Sequence, residues 1–197
     1  MIVSDTIVAP ATAPGRSAIS IIRLSGPLSL HIAKILCGKT LKPRIATFGS
    51  VTFNTETIDT GIWIYFATPH SFTGEETVEF QGHGGPVVVQ AILRITTELG
   101  ARLADPGEFS QRAFLNGKID LTQAEAISDL INASSLSAVK AANNSLKGEF
   151  AKSINAIVTE LVVLRTQIEA HIDFPDEDIE PKDTEAFSAA LNHIRSE

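Results

Sequence analysis

Three charged residues lie in settings that could place them in a binding site. Arg23 and Glu79 each belong to a segment rich in β-branched or apolar residues, and Lys118 follows a glycine. A carboxylate that faces a groove can bind the edge of a cyclic amidine through two hydrogen bonds. For Glu79 a solvated strand face is the alternative, and composition alone does not decide whether the three side chains meet.

The segment Gly82-His83-Gly84-Gly85-Pro86 stands between a predicted strand and a predicted helix. We predict a glycine-rich turn there, whose backbone N–H groups and helix dipole could hold an anion such as a carboxylate. The segment does not match the dinucleotide fingerprint, because Val87 occupies the position of the third glycine. A purely structural tight turn is equally compatible with it. His83 is interpreted as a local hydrogen-bonding residue rather than a catalyst.

Other patterns point away from nucleotide and metal chemistry. The run from Leu36 to Thr40 is not a phosphate-binding loop, because Ala33 replaces its first glycine and Gly38 ends a predicted helix. The acidic run Asp173–Glu180 lacks calcium-loop spacing and is interpreted as a solvated linker. The single Cys37 is predicted to be buried and structural. We therefore predict neither a metal site nor a catalytic residue in these 197 residues.

Composition and charge limit the partners of the chain. Sixteen basic and twenty-three acidic side chains give a net charge of -7, which would repel a phosphate backbone, so independent RNA binding is not expected. A membrane span needs an apolar run of about 18 residues, and no run approaches that length. The amino terminus lacks the basic and apolar regions of a signal peptide. We expect a cytoplasmic location.

Strand and helix patterns mix in the first 118 residues, which we predict to be one domain, residues 1–118. The period of two in a strand puts Ile19, Ile21 and Arg23 on one face. Predicted strands are Ala18–Ser25, Ile45–Phe53, Thr57–Phe66, Glu76–Gln81 and Ala101–Ala104, and predicted helices are Leu28–Cys37, Pro86–Leu99 and Glu108–Leu115.

The remainder, residues 119–197, is predicted to be an all-α domain. Ala124–Ala133 is rich in strong helix formers, and a last amphipathic helix starts near Asp183. Between Ser135 and Ile172 apolar side chains recur every three or four residues, which predicts one very long helix on the order of 50 Å. Its continuous buried stripe is expected to comprise Leu146, Phe150, Ile154, Ile157, Leu161, Leu164 and Ile168.

The residues and the order of several motifs resemble those of the MnmE (TrmE) family of bacterial tRNA-modification GTPases over the whole chain. No single motif is specific, but their series is. The matching stretches are Asp5–Ala9, Pro14–Arg16, Ile21–Gly26, Ser71–Glu75, Val78–Pro86, Pro106–Phe109, Arg112–Lys118, Gln123–Ala126 and Asp173–Pro175.

This resemblance implies an α+β domain with a mixed sheet and packed helices, similar to the folate domain of glycine-cleavage aminomethyltransferase. It implies binding of 5-formyltetrahydrofolate or a related reduced folate, and formation of a homodimer through this domain. The folate-binding positions of the family match Arg23, Glu79 and Lys118. We expect Glu79 to bind the donor edge of the pterin, and Arg23 and Lys118 to attract the electron-rich and anionic parts of the folate.

In the family, a potassium-stimulated, magnesium-dependent GTPase domain interrupts the helical domain. The resemblance further implies action with an MnmG-type flavoprotein on the wobble uridine of tRNA, to which a carboxymethylaminomethyl group is added. This chain contains none of the motifs GxxxxGK[ST], DxxG and NKxD. It therefore resembles the part of the family protein that precedes the GTPase domain, and we expect no GTP hydrolysis from it.

Two other functions stay open for the chain itself. A stand-alone folate-dependent one-carbon transferase would need a positioned acid or base, and the sequence indicates no carboxylate pair or Cys/His arrangement for one. A non-catalytic dimerisation scaffold would need only the apolar surface that unpartnered elements leave exposed.

Overall fold

The computed structural model describes residues 5–173 and 181–195. The chain divides into two compact units, Met1–Asp120 and Leu121–Glu197. This division lies two residues after the boundary predicted from the sequence. None of the helices in the described ranges combines the length and apolar character needed to cross a membrane.

The first unit is a six-stranded mixed sheet with three helices. Its strands follow the spatial order β3-β4-β5-β2-β1-β6, and all neighbours are antiparallel except the parallel pair β1 and β6. The strands are β1 Thr6–Pro10, β2 Ser17–Ser25, β3 Thr47–Phe53, β4 Glu56–Phe66, β5 Thr77–Gly84 and β6 Ala101–Leu103, and the helices are α1 Ser29–Cys37, α2 Pro86–Glu98 and α3 Glu108–Leu115. The predicted α+β class is confirmed.

Helices α1 and α2 pack on one face of the sheet and form the core with it. Trp63 and Tyr65 of β4 and Val78 and Phe80 of β5 alternate with more exposed residues and point into that core, where burying their apolar surface stabilises the fold. In β2 the residues Ser20, Ile22 and Leu24 are buried, as is Ser25 at the end of the strand. Ile21 and Arg23 lie on the face opposite Ile22 and Leu24 and are only half-buried. The predicted sharing of a face by Arg23 and its neighbouring isoleucine is confirmed.

The sequence prediction was wrong about one strand and missed another. The predicted turn at Gly82–Gly85 is mostly strand, because β5 continues to Gly84 and pairs there with Ser17 of β2. A Cβ at Gly84 would lie only 2.0 Å from Oγ of Ser17, so the glycine permits close approach of two strands. The short β1, which ends at Pro10, was not predicted at all.

The second unit contains helices α4 Leu121–Asn132, α5 Leu136–Leu146, α6 Glu149–Asp173 and α7 Pro181–Ile194. The very long helix predicted from Ser135 to Ile172 is two helices. Gly148 has φ of 74° and its N–H binds the carbonyl of Ser145, which ends α5 in the left-handed conformation that favours glycine. α6 still runs for 25 residues and is the longest helix described.

Among the described residues, much of the predicted apolar stripe of α6 is uncovered. Leu164 is buried, whereas Ile154, Leu161 and Ile168 are exposed. The prediction of a continuous buried stripe was therefore wrong for the described residues. The acidic run was interpreted as a linker, and residues 174–180 lie outside the described residues.

Candidate functional site

Arg23 and Glu79 meet on the sheet face that α1 and α2 do not cover. They are register partners in the antiparallel pair β2 and β5. Nε of Arg23 donates to Oε1 of Glu79 over 2.8 Å, and Nη2 lies 2.7 Å from the same oxygen. Oε2 of Glu79 accepts no hydrogen bond within the described part of the chain, so an acceptor remains for a ligand beside the guanidinium.

Two aromatic rings approach the Arg23 guanidinium. Its Cζ lies 5.5 Å from the ring centroid of Phe72 and 5.6 Å from that of Phe109. Both distances are within the range of about 6 Å for a cation–π interaction. Arg23 is therefore held by a carboxylate at its edge and by two rings at its sides.

Lys118 lies against the loop that carries Phe72. This β4–β5 loop comprises residues 67–76, and the Lys118 ammonium donates to the carbonyl of Pro69 over 2.9 Å. Gly74 of the same loop is packed so closely that a Cβ there would lie 3.1 Å from Cγ of Lys118. The β4–β5 loop thus contacts Arg23 through one residue and Lys118 through others.

Hydrogen bonds fix this loop to its surroundings. Oγ of Ser25 lies 2.6 Å from Oγ1 of Thr73 and donates to a carboxylate oxygen of Glu75 over 2.7 Å. The Asn116 amide donates to the carbonyl of Thr73 over 2.7 Å. Because Ser25 ends β2 and Asn116 follows α3, the loop is held between the sheet and the segment that leads to Lys118.

An ion network centred on the buried Arg112 also contacts the loop, through Glu75. Arg112, only 3% exposed, contacts the carboxylates of Asp5, Glu75 and Glu108 over 2.7, 3.3 and 3.0 Å respectively. Arg102 donates two hydrogen bonds to Glu108, over 2.9 and 2.6 Å. The hydrogen bonds from Arg102 are the largest cause of a lowered pKa at Glu108, and the bond from Arg112 adds to their effect. Together they hold the pKa of Glu108 well below its usual value, at about 2.

A carboxylate and an imidazole that sequence reasoning did not connect also meet in this unit. The buried carboxylate of Asp59 lies 2.6 Å from Nδ1 of His83 and accepts the backbone N–H of His83 over 2.8 Å. His83 is largely exposed, which leaves its Nε2 accessible. One of the backbone N–H groups that this segment could offer to an anion, that of His83, is thus already bound by Asp59.

A cavity of about 330 Å³ lies elsewhere in the first unit. It opens between the segment after β1 and the start of α2, and its lining includes Thr12, Ser17, Ser20 and Pro86. Arg23, Glu79 and Lys118 do not line this cavity. Among the described residues no group of three or more His, Cys, Asp or Glu side chains could hold a metal ion.

Several elements of the site had no signal in the local sequence. Phe72 and Phe109 reach Arg23 from a loop and from α3, and phenylalanines at those positions are typical of core packing as well. Asp59 and His83 are 24 residues apart, on neighbouring strands. Cys37 behaves as predicted: it is free and buried, and burial raises the pKa of its thiol.

The fold and the site together define an α+β domain with a charged pair on its uncovered sheet face, followed by a helical unit. Residues 6–118 match the family model of the GTP-binding protein TrmE N-terminus, and residues 121–197 match that of the MnmE helical domain. The chain belongs to the MnmE (TrmE) family, as its motifs predicted.

Curated relatives carry the name tRNA modification GTPase MnmE. The protein from Neisseria meningitidis serogroup C strain FAM18 is 54% identical over 176 residues, which is 89% of this chain and 39% of the relative. That from Saccharophagus degradans is 55% identical over 97% of this chain and 42% of its own length, and that from Vibrio cholerae is 55% identical over 90% and 40%. The chain spans about two fifths of the length of these relatives.

Proposed function

We propose that this chain is the reduced-folate-binding and dimerising part of a tRNA-modification GTPase, with Arg23, Glu79 and Lys118 as its folate-binding residues. One observation carries the proposal: the Arg23–Glu79 ion pair lies, partly buried, on the sheet face that α1 and α2 do not cover, next to a loop that contacts both Arg23 and Lys118. A solvated strand face would need neither the rings nor the anchored loop around it.

The chemistry of these residues fits 5-formyltetrahydrofolate. The pterin ring presents an amidine-like donor edge, which the second carboxylate oxygen of Glu79 can accept. Lys118 carries a positive charge for the folate carboxylates, and among the described residues its ammonium donates to a backbone carbonyl. The bound folate would supply the one-carbon unit, while the residues of this chain bind and orient it.

Dimerisation is the second part of the proposal. On the face that carries the Arg23–Glu79 pair, Phe48 and Ile62 are register partners on β3 and β4, and both are exposed. Exposed apolar side chains gathered on one face are typical of an interaction surface, and a twofold axis lets one such patch cover itself. We assign this face to the homodimer.

For the whole protein we propose the activity that the relatives' names state, that of a tRNA modification GTPase. We assign to it GTP hydrolysis with K⁺ and Mg²⁺ in a separate GTPase domain, and cooperation with an MnmG-type flavoprotein. The product is a carboxymethylaminomethyl group on the wobble uridine of tRNA, and the setting is the cytoplasm. The net charge of -7 fits a part that does not hold the tRNA by itself.

Calorimetric titration of the 197-residue chain with 5-formyltetrahydrofolate tests the folate assignment. Wild-type protein should bind, and the Arg23→Ala, Glu79→Ala double variant should lose at least tenfold in affinity, since two charge-assisted contacts are removed. The matched control removes the exposed ion pair of α2, Arg94→Ala with Glu98→Ala, and should bind as wild type does. Unchanged affinity in the first double variant would remove the assignment.

Sedimentation equilibrium at micromolar concentration tests the dimer. Wild-type chain should sediment as a dimer, and Ile62→Asp should shift it to monomer because the substitution places a charge in the apolar patch. Val87→Asp is the control, since Val87 is exposed on α2 away from this face. A monomeric wild type, or a dimer that Ile62→Asp leaves intact, contradicts the assigned interface.

One observation favours a second candidate, a one-carbon transferase that acts without further domains. The Asp59 carboxylate orients His83 through Nδ1, which is the arrangement that general-base histidines have. Turnover of 5-formyltetrahydrofolate with an amine acceptor tests it. Turnover that His83→Gln abolishes, with folate affinity unchanged, would establish the transferase, and absence of turnover would leave the binding function alone.

A further inference from the structure

We infer that Phe72 is a ligand-contacting residue of this site, whose exposed ring stacks on a flat heteroaromatic ring, while Phe109 only positions Arg23. The inference rests on the proposed function and goes beyond it, because it adds a recognition element for the ring system to the three charged residues. Aromatic side chains bind flat heterocycles largely independently of their edge groups, so Phe72 would supply affinity and the charged residues specificity.

The exposure of Phe72 is the first observation. Phe72 is 37% exposed, although both neighbours in the chain, Ser71 and Thr73, are buried. Oγ of Ser71 donates to the carbonyl of Glu75 over 2.6 Å, and Thr73 is bonded to Ser25. The backbone on either side of Phe72 is therefore fixed, and the ring is held in a partly exposed position by its neighbours.

The surroundings of the ring are the second observation. Phe72 lies 5.5 Å from the guanidinium of Arg23, whose own partner Glu79 keeps one carboxylate oxygen without a bond in the described part of the chain. An apolar ring surface, a positive charge and a free acceptor thus lie side by side. This set of groups suits a flat ring with a hydrogen-bond donor at its edge, such as the pyrimidine half of a reduced pterin, which stays planar when the other ring is reduced.

Phe109 has the same relation to Arg23 but a different setting. It lies in α3, is half-buried, and its centroid is 5.6 Å from Cζ of Arg23. A ring that belongs to a helix and is partly covered can hold the guanidinium in place through the cation–π contact. The two phenylalanines are therefore expected to differ in how they act: Phe72 directly, and Phe109 through Arg23.

A double-mutant cycle on the 197-residue chain separates these two roles. Affinity for 5-formyltetrahydrofolate is measured for Phe72→Leu and Phe109→Leu, each in the wild-type chain and in an Arg23→Ala background. Phe72→Leu should lose about tenfold in both backgrounds, because stacking on the ligand does not need Arg23. Phe109→Leu should weaken binding only where Arg23 is present.

Two further variants serve as controls. Phe72→Trp keeps a stacking surface and should bind at least as tightly as wild type, which also covers the case in which Phe72→Leu does not fold. Phe114→Leu is the matched control, because Phe114 is 41% exposed on α3 and makes no ring contact with Arg23 in the described residues. Circular dichroism of each variant checks that the fold is intact.

The outcomes separate this inference from the proposed function. A wild-type chain that does not bind the folate overturns both. A wild type that binds, with Phe72→Leu unchanged, overturns the inference alone. A loss in Phe72→Leu that disappears in the Arg23→Ala background also overturns it, because Phe72 would then act only by positioning Arg23. Loss in both backgrounds with recovery in Phe72→Trp supports it.

Discussion

Arg23 and Glu79 occupy the same register position on neighbouring antiparallel strands, and their side chains form an ion pair on the uncovered face of the sheet. Each charge is therefore compensated by the other before any ligand arrives. Arg23 consequently presents little net charge to an anion, and its expected attraction for anionic parts of a folate is weaker than the sequence suggested. In this geometry Lys118, bonded to a backbone carbonyl, is the better candidate for that task.

The ion pair should contribute measurably to stability even without a ligand. We expect Arg23→Gln and Glu79→Gln to show a coupling free energy of about 1 kcal/mol, because the pair is partly buried and joined by charge-assisted hydrogen bonds. Urea unfolding followed by Trp63 fluorescence measures it, since Trp63 is the only tryptophan and is buried in the first unit. The exposed Arg94–Glu98 pair should show less than about 0.5 kcal/mol, and equal couplings would contradict the expectation.

Acid should weaken the first unit through Glu108. The folded-state pKa of Glu108 is lowered from 4.5 to about 2, so its ionised form stabilises the fold above about pH 4.5 and this contribution is lost as pH falls toward 2. Glu108→Gln should cost about 3 kcal/mol at pH 7, because it leaves Arg112 and Arg102 short of a partner, and its deficit should shrink below pH 4.5. Urea midpoints from pH 7 to pH 2.5 measure this. A deficit that is constant over this range would refute the assignment, and Glu98→Gln serves as the exposed control.

The ionisation of the Tyr65 hydroxyl can be followed without overlap from another tyrosine, because Tyr65 is the only tyrosine in the sequence. Burial is the larger cause that raises the pKa of Tyr65 from 10 to about 12, and the hydrogen bond that its hydroxyl donates to Glu76 is the second. The neutral form is thus favoured in the folded state, and the stability it contributes below pH 10 is lost as pH rises toward 12. Absorbance at alkaline pH should show ionisation near pH 12 in native protein and near pH 10 in urea. Glu76→Gln should lower the native value, and a native value near 10 would contradict the assignment.

The elements that sequence reasoning predicted well are those with a local signal. α1 was predicted to end at Cys37 and does so, because Gly38 adopts φ of 65° and stops the helix. α3 was predicted at Glu108–Leu115 and has those bounds. In both helices the apolar spacing and the glycine lie within a few residues of each other, so no distant contact is needed to define them.

The features that were missed depend on distant partners or on a signal that was overlooked. The end of β5 at Gly84 is defined by Ser17, which lies 67 positions earlier in the numbering. The break between α5 and α6 had a local signal in Gly148, but the regular apolar spacing on both sides outweighed it. Arg23 and Glu79 were singled out by their motifs, whereas their ion pair joins residues 56 positions apart and required the sheet register. Phe72 comes next to Arg23 only through the fold of the β4–β5 loop, and Asp59 comes next to His83 only through the register of β4 and β5.

The junction after β2 should be intolerant of any side chain. Gly26 has φ of 126°, and a Cβ there would lie 2.5 Å from the carbonyl oxygen of Asp5 and 2.7 Å from Cα of Thr6. Gly26→Ala should therefore destabilise the first unit by more than about 3 kcal/mol, because backbone strain adds to a clash with backbone atoms that cannot rotate away. Gly38→Ala is the matched control, since its φ of 65° strains an alanine but nothing lies within 4 Å of the new Cβ, and about 1 kcal/mol is expected. Urea unfolding by Trp63 fluorescence compares the two variants. Equal losses would mean that β1 can move away from Gly26, and then the position of β1 beside β2 would not depend on this glycine.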